Sequence, residues 1–286
     1  MKEKFKVILF YKFTKIKNPK AFVIKQKKIC SDFGLKGRIL VAEEGINGTL
    51  EGKLSQINKY KKTMREMTPF KDLIFKESDS LGKSFTGLKV KVRDEIVTLK
   101  AGTFNIKKET AKEVSAVELE RMYKKDEDFL VLDLRNDYEV KVGQFNKTYN
   151  PKLNNFYELP KKLKELAHLK DKKLVAVCTG GIRCEKATCL LKREGFKNLY
   201  QLKDGIHTYI KKYPNKNFKG SLFVFDNRMS TPVVLVPKRE IIGRCVFCDK
   251  KCETFFSDDS VRPSKKLISC KDCAKNRKNL RESVTV

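Results

Sequence analysis

The chain has 286 residues, 40% of them hydrophobic, and its formal net charge at pH 7 is +29. The length predicts two or three domains, and the hydrophobic content is enough for packed cores. The excess of Lys and Arg favours a polyanionic partner, most simply nucleic acid, with a general enrichment of surface Lys as the alternative. No apolar run is long enough for a membrane-spanning helix, so we expect a soluble protein.

The first residues, Met1–Tyr11, have too short an apolar core for a secretory signal peptide and no small-residue cleavage site. We therefore expect a cytoplasmic protein with no membrane partner. Thiols stay reduced in that compartment, so the nine cysteines are expected in metal binding or catalysis rather than in disulfides.

The first hundred residues predict a ferredoxin-like α+β domain over 1–100, because their elements follow the order βαββαβ. The predicted strands are 5–13, 37–42, 49–51, 73–77 and 88–93, and the predicted helices are 19–33 and 55–67.

Two features of this domain are candidates for substrate contact. The turn Glu43–Gly48 contains Glu44 and Asn47, which suit a catalytic or nucleotide-contacting loop, although an ordinary hairpin turn has the same composition. The last strand places Arg93 on one face with two lysines. A basic sheet face of this kind can bind a phosphate backbone or can simply be solvated.

Residues 101–114 are polar and irregular, which predicts a linker. From 115 to 215 strands alternate with helices, beginning with a capping-box helix at Ser115 and the apolar strand 129–135. This alternation predicts a parallel α/β sheet.

The sequence around Cys178 predicts a reactive thiol. Four apolar residues, 174–177, form a buried strand, and Gly180 and Gly181 provide a tight turn before a helix that includes Ala187. These two glycines are also predicted to contact the substrate. The N–H groups and the dipole at a helix N-terminus favour an anion, so a cysteine placed there tends to be a thiolate. The alternative is an ordinary buried cysteine before a βα turn.

Three patterns together resemble a rhodanese domain: Asp133-x-Arg-x-x-x-Glu139, Cys178-x-x-Gly-x-Arg183, and Leu-x-x-Gly205-Ile. The resemblance implies that Cys178 is the nucleophile that carries a persulfide. Arg183 comes one residue earlier than in cysteine phosphatases of related fold, which argues against phosphatase activity.

Cys184 follows the loop and distinguishes it from a plain rhodanese. It is predicted to resolve a persulfide or disulfide on Cys178, or to be the reactive thiol itself. Arg183 is predicted to orient a substrate anion or to lower the thiol pKa. Cys189, on the helix body, is expected to be a buried structural residue.

The C-terminal region, 216–286, is Cys-rich and predicts a zinc site. Two Cys-x2-Cys pairs are separated by 21 residues, a spacing typical of four-thiolate zinc sites. The predicted ligands are Cys245, Cys248, Cys270 and Cys273. Cys252 is a spare that could replace one of them, and free thiols in a disordered tail are the alternative.

Five segments over nearly the whole chain resemble the rhodanese-containing tRNA uridine-34 hydroxylase family. They are 42–48, 91–97, 133–139, 178–187 and 223–229, of which the run Cys178-Thr-Gly-Gly-Ile-Arg-Cys-Glu-Lys is the most specific. The resemblance implies oxygen-dependent 5-hydroxylation of the wobble uridine, with the tRNA anticodon region as partner and molecular oxygen as co-substrate. No dinucleotide motif or iron triad indicates the electron donor. A general sulfurtransferase and a non-enzymatic RNA-binding adaptor are the alternatives.

Overall fold

The computed structural model describes residues 4–231, 240–258 and 265–282. These residues fall into two compact units that divide between Ile106 and Lys107. Within the described ranges, no helix combines the length and the apolar character that crossing a membrane requires.

The first unit is a five-stranded sheet with two long helices. Its elements are β1 (Phe5–Phe13), α1 (Pro19–Asp32), β2 (Lys36–Ala42), β3 (Gly45–Lys53), α2 (Leu54–Glu66), β4 (Lys76–Ser80) and β5 (Leu88–Val92). The strand order β4-β1-β3-β2 is that of a ferredoxin-like domain, which confirms the predicted fold. β5 extends this sheet by pairing parallel to β2 at its edge.

The core of this unit lies between the sheet and the helices. Pro19 begins α1, and the Asn18 side chain accepts a hydrogen bond from the Ala21 N–H, which caps the helix. In the core, the Tyr60 hydroxyl of α2 donates to the Gln26 amide oxygen of α1 at 2.8 Å. Because both side chains are fully buried, this bond satisfies polar groups that burial would otherwise leave costly.

Two predictions about this unit are wrong. Gly45–Gly48 is not part of a loop, since β3 begins at Gly45 and only Glu43 and Glu44 form the turn. The glycines allow strands to approach closely: a Cβ on Gly48 would lie 2.4 Å from the Phe10 ring of β1. The strand predicted at 73–77 begins instead at Lys76, because Leu73 closes a turn by donating its N–H to the Phe70 carbonyl.

The second unit contains a five-stranded parallel sheet in the order β6-β11-β10-β7-β9. In chain order, its strands and α-helices are α3 (Ile106–Glu109), β6 (Lys112–Val114), α4 (Ala116–Lys124), β7 (Leu130–Asp133), α5 (Asp137–Val140), β8 (Gly143–Phe145), β9 (Thr148–Tyr149), α6 (Leu159–Leu166), β10 (Leu174–Val177), α7 (Ile182–Arg193), β11 (Leu199–Leu202) and α8 (Gly205–Lys212). The parallel sheet confirms the predicted α/β class. The linker prediction is wrong over 106–114, where α3 lies and where β6 forms an edge of the sheet.

The Cys-rich region is part of the same unit. Its elements are β12 (Phe218–Gly220), β13 (Leu222–Phe223), β14 (Ser230–Thr231), β15 (Phe255–Asp258), β16 (Lys265–Ile268) and α9 (Lys271–Glu282). β12 pairs with β8, and a small core of Val142, Phe223 and Ile268 joins this region to the sheet domain. The Tyr138 ring of α5 packs edge-on against Phe223 and Phe255 at centroid distances of 5.1 and 6.3 Å.

Candidate active site

Cys178 lies between the end of β10 and the start of α7, at the centre of the second unit. β10 is buried along its whole length, so the residue that follows it is carried into the interior. The turn needs a left-handed residue before the helix, and Gly181 supplies it with φ +100°. Its N–H donates to the Cys178 sulfur at 3.1 Å, and the thiol has no exposed surface.

The environment of Cys178 favours the thiolate. Burial by itself raises the pKa of this thiol, but hydrogen bonding from the Cys184 side chain, the charge of Arg183 and the backbone N–H groups of Cys184 and Arg183 lower it to about 5. The ordinary value is 9.0. Cys184 shows the opposite behaviour, because burial and its hydrogen bond to Cys178 raise its pKa well above that value. The two thiols therefore form a donor–acceptor pair with the negative charge on Cys178.

Arg183 is held beside this thiolate by a buried carboxylate. Its two terminal nitrogens donate to the two oxygens of Glu139 at 2.6 and 2.9 Å, and one of them also reaches the Thr179 hydroxyl at 3.3 Å. Glu139 is fully buried and Arg183 is 6% exposed. Because both donor arms are engaged, Arg183 acts on Cys178 through its charge in this conformation.

Glu139 is not among the residues predicted above to form the site, although it ends the Asp-x-Arg-x-x-x-Glu pattern. It occupies the first turn of α5, where its carboxylate also accepts the Asn136 N–H at 3.0 Å. The segment before α5 is fixed by Arg135, which donates to Asp133 and to the Gly143 carbonyl, each at 2.6 Å. Of the charged residues of this pattern, Glu139 thus holds Arg183, and Asp133 and Arg135 fix the segment that follows β7.

The start of α8 fixes the other side of the loop. The Ile206 N–H donates to the Cys178 carbonyl and the His207 N–H to the Thr179 carbonyl, both at 3.0 Å. A Cβ on Gly205 would lie 2.7 Å from the Cys178 carbonyl oxygen and 2.8 Å from the Gly180 carbonyl carbon. Glycine at 205 is therefore a requirement of close packing against the loop.

One aromatic side chain lies against Arg183 from the C-terminal region. The Phe225 ring centroid is 5.6 Å from the Arg183 guanidinium carbon, a cation–π distance. The Phe225 side chain is 47% exposed and packs edge-on against the buried Phe223. No sequence pattern predicted this contact, because the two residues are 42 positions apart.

The three substrate-binding candidates of the first unit are brought near the segment that follows β5. The Glu44 carboxylate accepts the Ile96 N–H at 2.8 Å, and the Asn47 amide donates to the Ile96 carbonyl at 2.9 Å. Arg93 is exposed at the end of β5, and its side chain donates to the Val92 carbonyl at 2.9 Å. Glu44 and Asn47 therefore bind both backbone polar groups of Ile96 through hydrogen bonds.

The four predicted metal ligands come together in the C-terminal region. The sulfurs of Cys245, Cys248, Cys270 and Cys273 all lie within 4.8 Å of one another. The Cys248 and Cys270 sulfurs are 3.7 Å apart, close to the roughly 3.8 Å expected between thiolates on one tetrahedral zinc ion. Cys252 is outside this cluster and packs on the Val142, Phe223 and Ile268 core.

Family models match three successive parts of the chain. The UPF0176 acylphosphatase-like domain matches residues 5–96, the rhodanese-like domain residues 115–212, and the rhodanese C-terminal model residues 219–283.

Relatives match the chain across these three parts. A tRNA uridine(34) hydroxylase of Bacillus licheniformis is 38% identical over 272 residues, which are 94% of this chain and 84% of the relative. Proteins of the same name from Onion yellows phytoplasma and Staphylococcus carnosus are 38% and 36% identical, and the matches cover 92% and 96% of this chain and 86% and 91% of those proteins. The chain belongs to the tRNA uridine(34) hydroxylase family.

Membership of this family confirms the resemblance predicted from the five sequence segments. The names of the relatives favour an RNA-modifying hydroxylase over the general sulfurtransferase. The rhodanese-like match accounts for the β10–Cys178–α7 geometry, and the UPF0176 match accounts for the ferredoxin-like unit that precedes it.

Proposed function

We propose that this chain hydroxylates C5 of uridine 34 in the anticodon of tRNA, in an oxygen-dependent reaction that requires the Cys178 thiolate. The observation that carries the proposal is the pairing of near-full-length similarity to tRNA uridine(34) hydroxylases with a loop that stabilises a thiolate at Cys178. The net charge of +29 suits a tRNA substrate, because phosphate contacts dominate nucleic-acid affinity. A tRNA substrate also supports the cytoplasmic location that we propose.

Cys178 is the reactive thiol in this proposal, and Cys184 supports it. A thiolate is the nucleophilic form of cysteine, and of the two side chains only Cys178 has a lowered pKa. Cys184 donates the hydrogen bond that holds the charge, and Arg183 supplies the compensating cation. Gly180 and Gly181 shape the turn that presents the backbone N–H groups.

The buried sulfur limits how the reaction begins. Cys178 has no exposed surface, so a nucleobase can reach it only after the loop or the residues over it move. We therefore assign the described conformation to the resting enzyme. We propose a second substrate-contacting region in the first unit, formed by Glu44, Asn47 and Arg93. Glu44 and Asn47 also hold the Ile96 backbone there.

The four-cysteine cluster is proposed to hold a structural zinc ion. Four thiolates match the preferred ligands of such sites, and the 3.7 Å separation of the Cys248 and Cys270 sulfurs fits a single tetrahedral ion. Cys245, Cys248, Cys270 and Cys273 would be the ligands, and the ion would stabilise the fold of this region.

Mass spectrometry of tRNA nucleosides tests the function. A bacterial strain that lacks its own uridine-34 hydroxylase would be complemented with the wild-type chain, with Cys178→Ser or with Cys189→Ser. Cys189 is a matched control because its side chain is buried, as that of Cys178 is. It lies on α7, away from the loop, and its thiol donates to the Glu185 carbonyl at 3.1 Å. We expect 5-hydroxyuridine derivatives with the wild type and with Cys189→Ser, and none with Cys178→Ser.

Three results would contradict the proposal. Absence of 5-hydroxyuridine with the wild-type chain, at an expression level that restores it for a known family member, would exclude the activity. Full modification by Cys178→Ser would exclude the thiolate. Thiosulfate turnover by the purified chain without tRNA modification would instead identify a sulfurtransferase.

A further inference from the structure

A cavity in the first unit lies apart from every residue assigned above. It is bounded by the connection from β1 to α1, the first turns of α1 and the turn at Pro69, and its volume is about 450 Å³. This volume is within the range of small-ligand sites. The lining contains no acidic residue.

Two aromatic rings form the apolar part of this cavity. Phe22 and Phe70 are stacked with centroids 5.5 Å apart and an interplanar angle of 27°. Phe70 is 2% exposed and belongs to the core, whereas Phe22 is only half-buried. Phe22 thus offers a supported aromatic surface to the cavity, and a planar base can stack on such a surface whatever its sequence identity.

Three exposed lysines surround these rings: Lys15, Lys17 and Lys25. Among the described residues none of the three forms an ion pair, whereas Lys6 and Lys61 of the same unit are paired with Asp79 and Glu77. An apolar cavity with unpaired cations around it is complementary to a nucleotide, which combines a flat base with an anionic phosphate.

We propose that this cavity binds an unpaired nucleotide of the tRNA, with its base against Phe22 and its flanking phosphates near the three lysines. The inference rests on tRNA as the substrate and adds a contact outside the Cys178 loop. An apolar peptide would leave the three lysines without a counter-charge, and an acidic peptide would make no use of the aromatic face for stacking. A nucleotide uses both features, so the combination favours RNA over a protein partner.

Equilibrium tRNA binding tests this site on the full-length chain. The triple variant Lys15→Gln/Lys17→Gln/Lys25→Gln removes its charges, and Lys27→Gln/Lys59→Gln/Lys62→Gln removes the same number from exposed positions on α1 and α2. Since each phosphate contact contributes about 0.7 to the salt slope on single strands, we expect the slope of log Kd against log salt to fall by up to about 2 in the first variant only.

A second variant isolates the stacking surface. Phe22→Leu keeps an apolar side chain on Phe70 but removes the aromatic face, so we expect tRNA affinity to fall about fivefold or more without a change in salt slope. A tRNA that carries photoreactive 4-thiouridine in its loops should crosslink to the peptide containing Phe22 in the wild type. Circular dichroism would verify that each variant is folded.

Equal affinity in the two lysine variants would overturn the inference, since only general charge would then matter. Unchanged tRNA affinity together with lost binding to phosphatidylglycerol vesicles would also overturn it and would identify a lipid surface. The failure of this site is distinguishable from failure of the proposed function, because nucleoside mass spectrometry measures hydroxylation independently of Kd.

Discussion

Arg183 and Glu139 form a bidentate ion pair beside a buried thiolate, with N–O distances of 2.6 and 2.9 Å. The pair joins the first turns of α5 and α7, the helices that follow the neighbouring parallel strands β7 and β10. Glu139 stays paired with the Arg183 guanidinium, so a positive charge can be buried next to Cys178 and still have a counter-ion. The same pairing raises the pKa of Arg183, so the charge is permanent at any physiological pH.

Glu139→Gln is expected to lower the free energy of unfolding by about 3 kcal/mol, because Arg183 would be left as a buried charge without a counter-ion. Urea denaturation measures the loss. Asp32→Asn is the matched control, since the Lys28–Asp32 pair is exposed and its removal should cost less than about 1 kcal/mol. Equal losses in the two variants would contradict a buried role for the pair.

Cys184→Ala is expected to raise the pKa of Cys178 from about 5, because a hydrogen bond to the thiolate is lost. Cys184→Ser should shift it less, since a hydroxyl can still donate. The ultraviolet absorbance of the thiolate, recorded against pH and compared with the same protein carrying Cys178→Ser, measures the shift without a reagent having to reach the buried sulfur. A titration of Cys178 in Cys184→Ala identical to that in the wild type would show that the side chain at 184 contributes no hydrogen bond.

Stability should depend on pH through Cys178. Its pKa in the folded state is about 5 and its ordinary value is 9.0, so the folded chain binds fewer protons between these values. The resulting stabilisation is complete above pH 9 and is lost as the pH falls towards 5. The unfolding free energy of the wild type minus that of Cys178→Ser should therefore rise over this window, by up to about 1.4 kcal/mol per pH unit. A flat difference would place the folded-state pKa near its ordinary value.

Gly205→Ala is expected to destabilise the second unit and to slow hydroxylation, because the new methyl group would lie 2.7 Å from the Cys178 carbonyl. Gly102→Ala is the control, since Gly102 has a similar positive φ of +81° but nothing within 4 Å of the added Cβ. Both variants carry the backbone strain of a left-handed alanine, about 1 kcal/mol. The loss of unfolding free energy in Gly205→Ala beyond the loss in Gly102→Ala measures the steric clash. Equal losses in the two variants would mean that the loop can move aside.

Zinc content should separate ligands from the spare cysteine. Protein purified without chelators should contain about one zinc ion per chain in the wild type and in Cys252→Ser, and far less in Cys248→Ser/Cys273→Ser. Elemental analysis measures the ratio. A ratio near zero in the wild type would remove the metal from the proposal, and a low ratio in Cys252→Ser would implicate a fifth thiol.

The elements that the sequence predicted well are those with strong local signals. The apolar run before Cys178 and the glycines after it specify a strand, a turn and a helix within 20 residues. Glu139 carried no such signal as a partner of Arg183, because an ion pair between the starts of α5 and α7 depends on how β7 and β10 lie side by side. The prediction of a loop over Gly45–Gly48 was wrong for a related reason. These glycines allow β1 and β3 to approach closely, and composition cannot distinguish such a tertiary contact from a flexible turn.

The contact between Tyr138 and Phe255 has a consequence for synthesis. Tyr138 precedes Glu139 in α5, and its packing partners include β15, which the ribosome makes more than 100 residues later. A nascent chain that already contains the Cys178 loop therefore still lacks the Phe255 ring that packs on Tyr138. Phe225, whose ring lies over the Arg183 guanidinium, is also made after the loop. A prematurely terminated chain would therefore carry the cysteine loop without either aromatic contact.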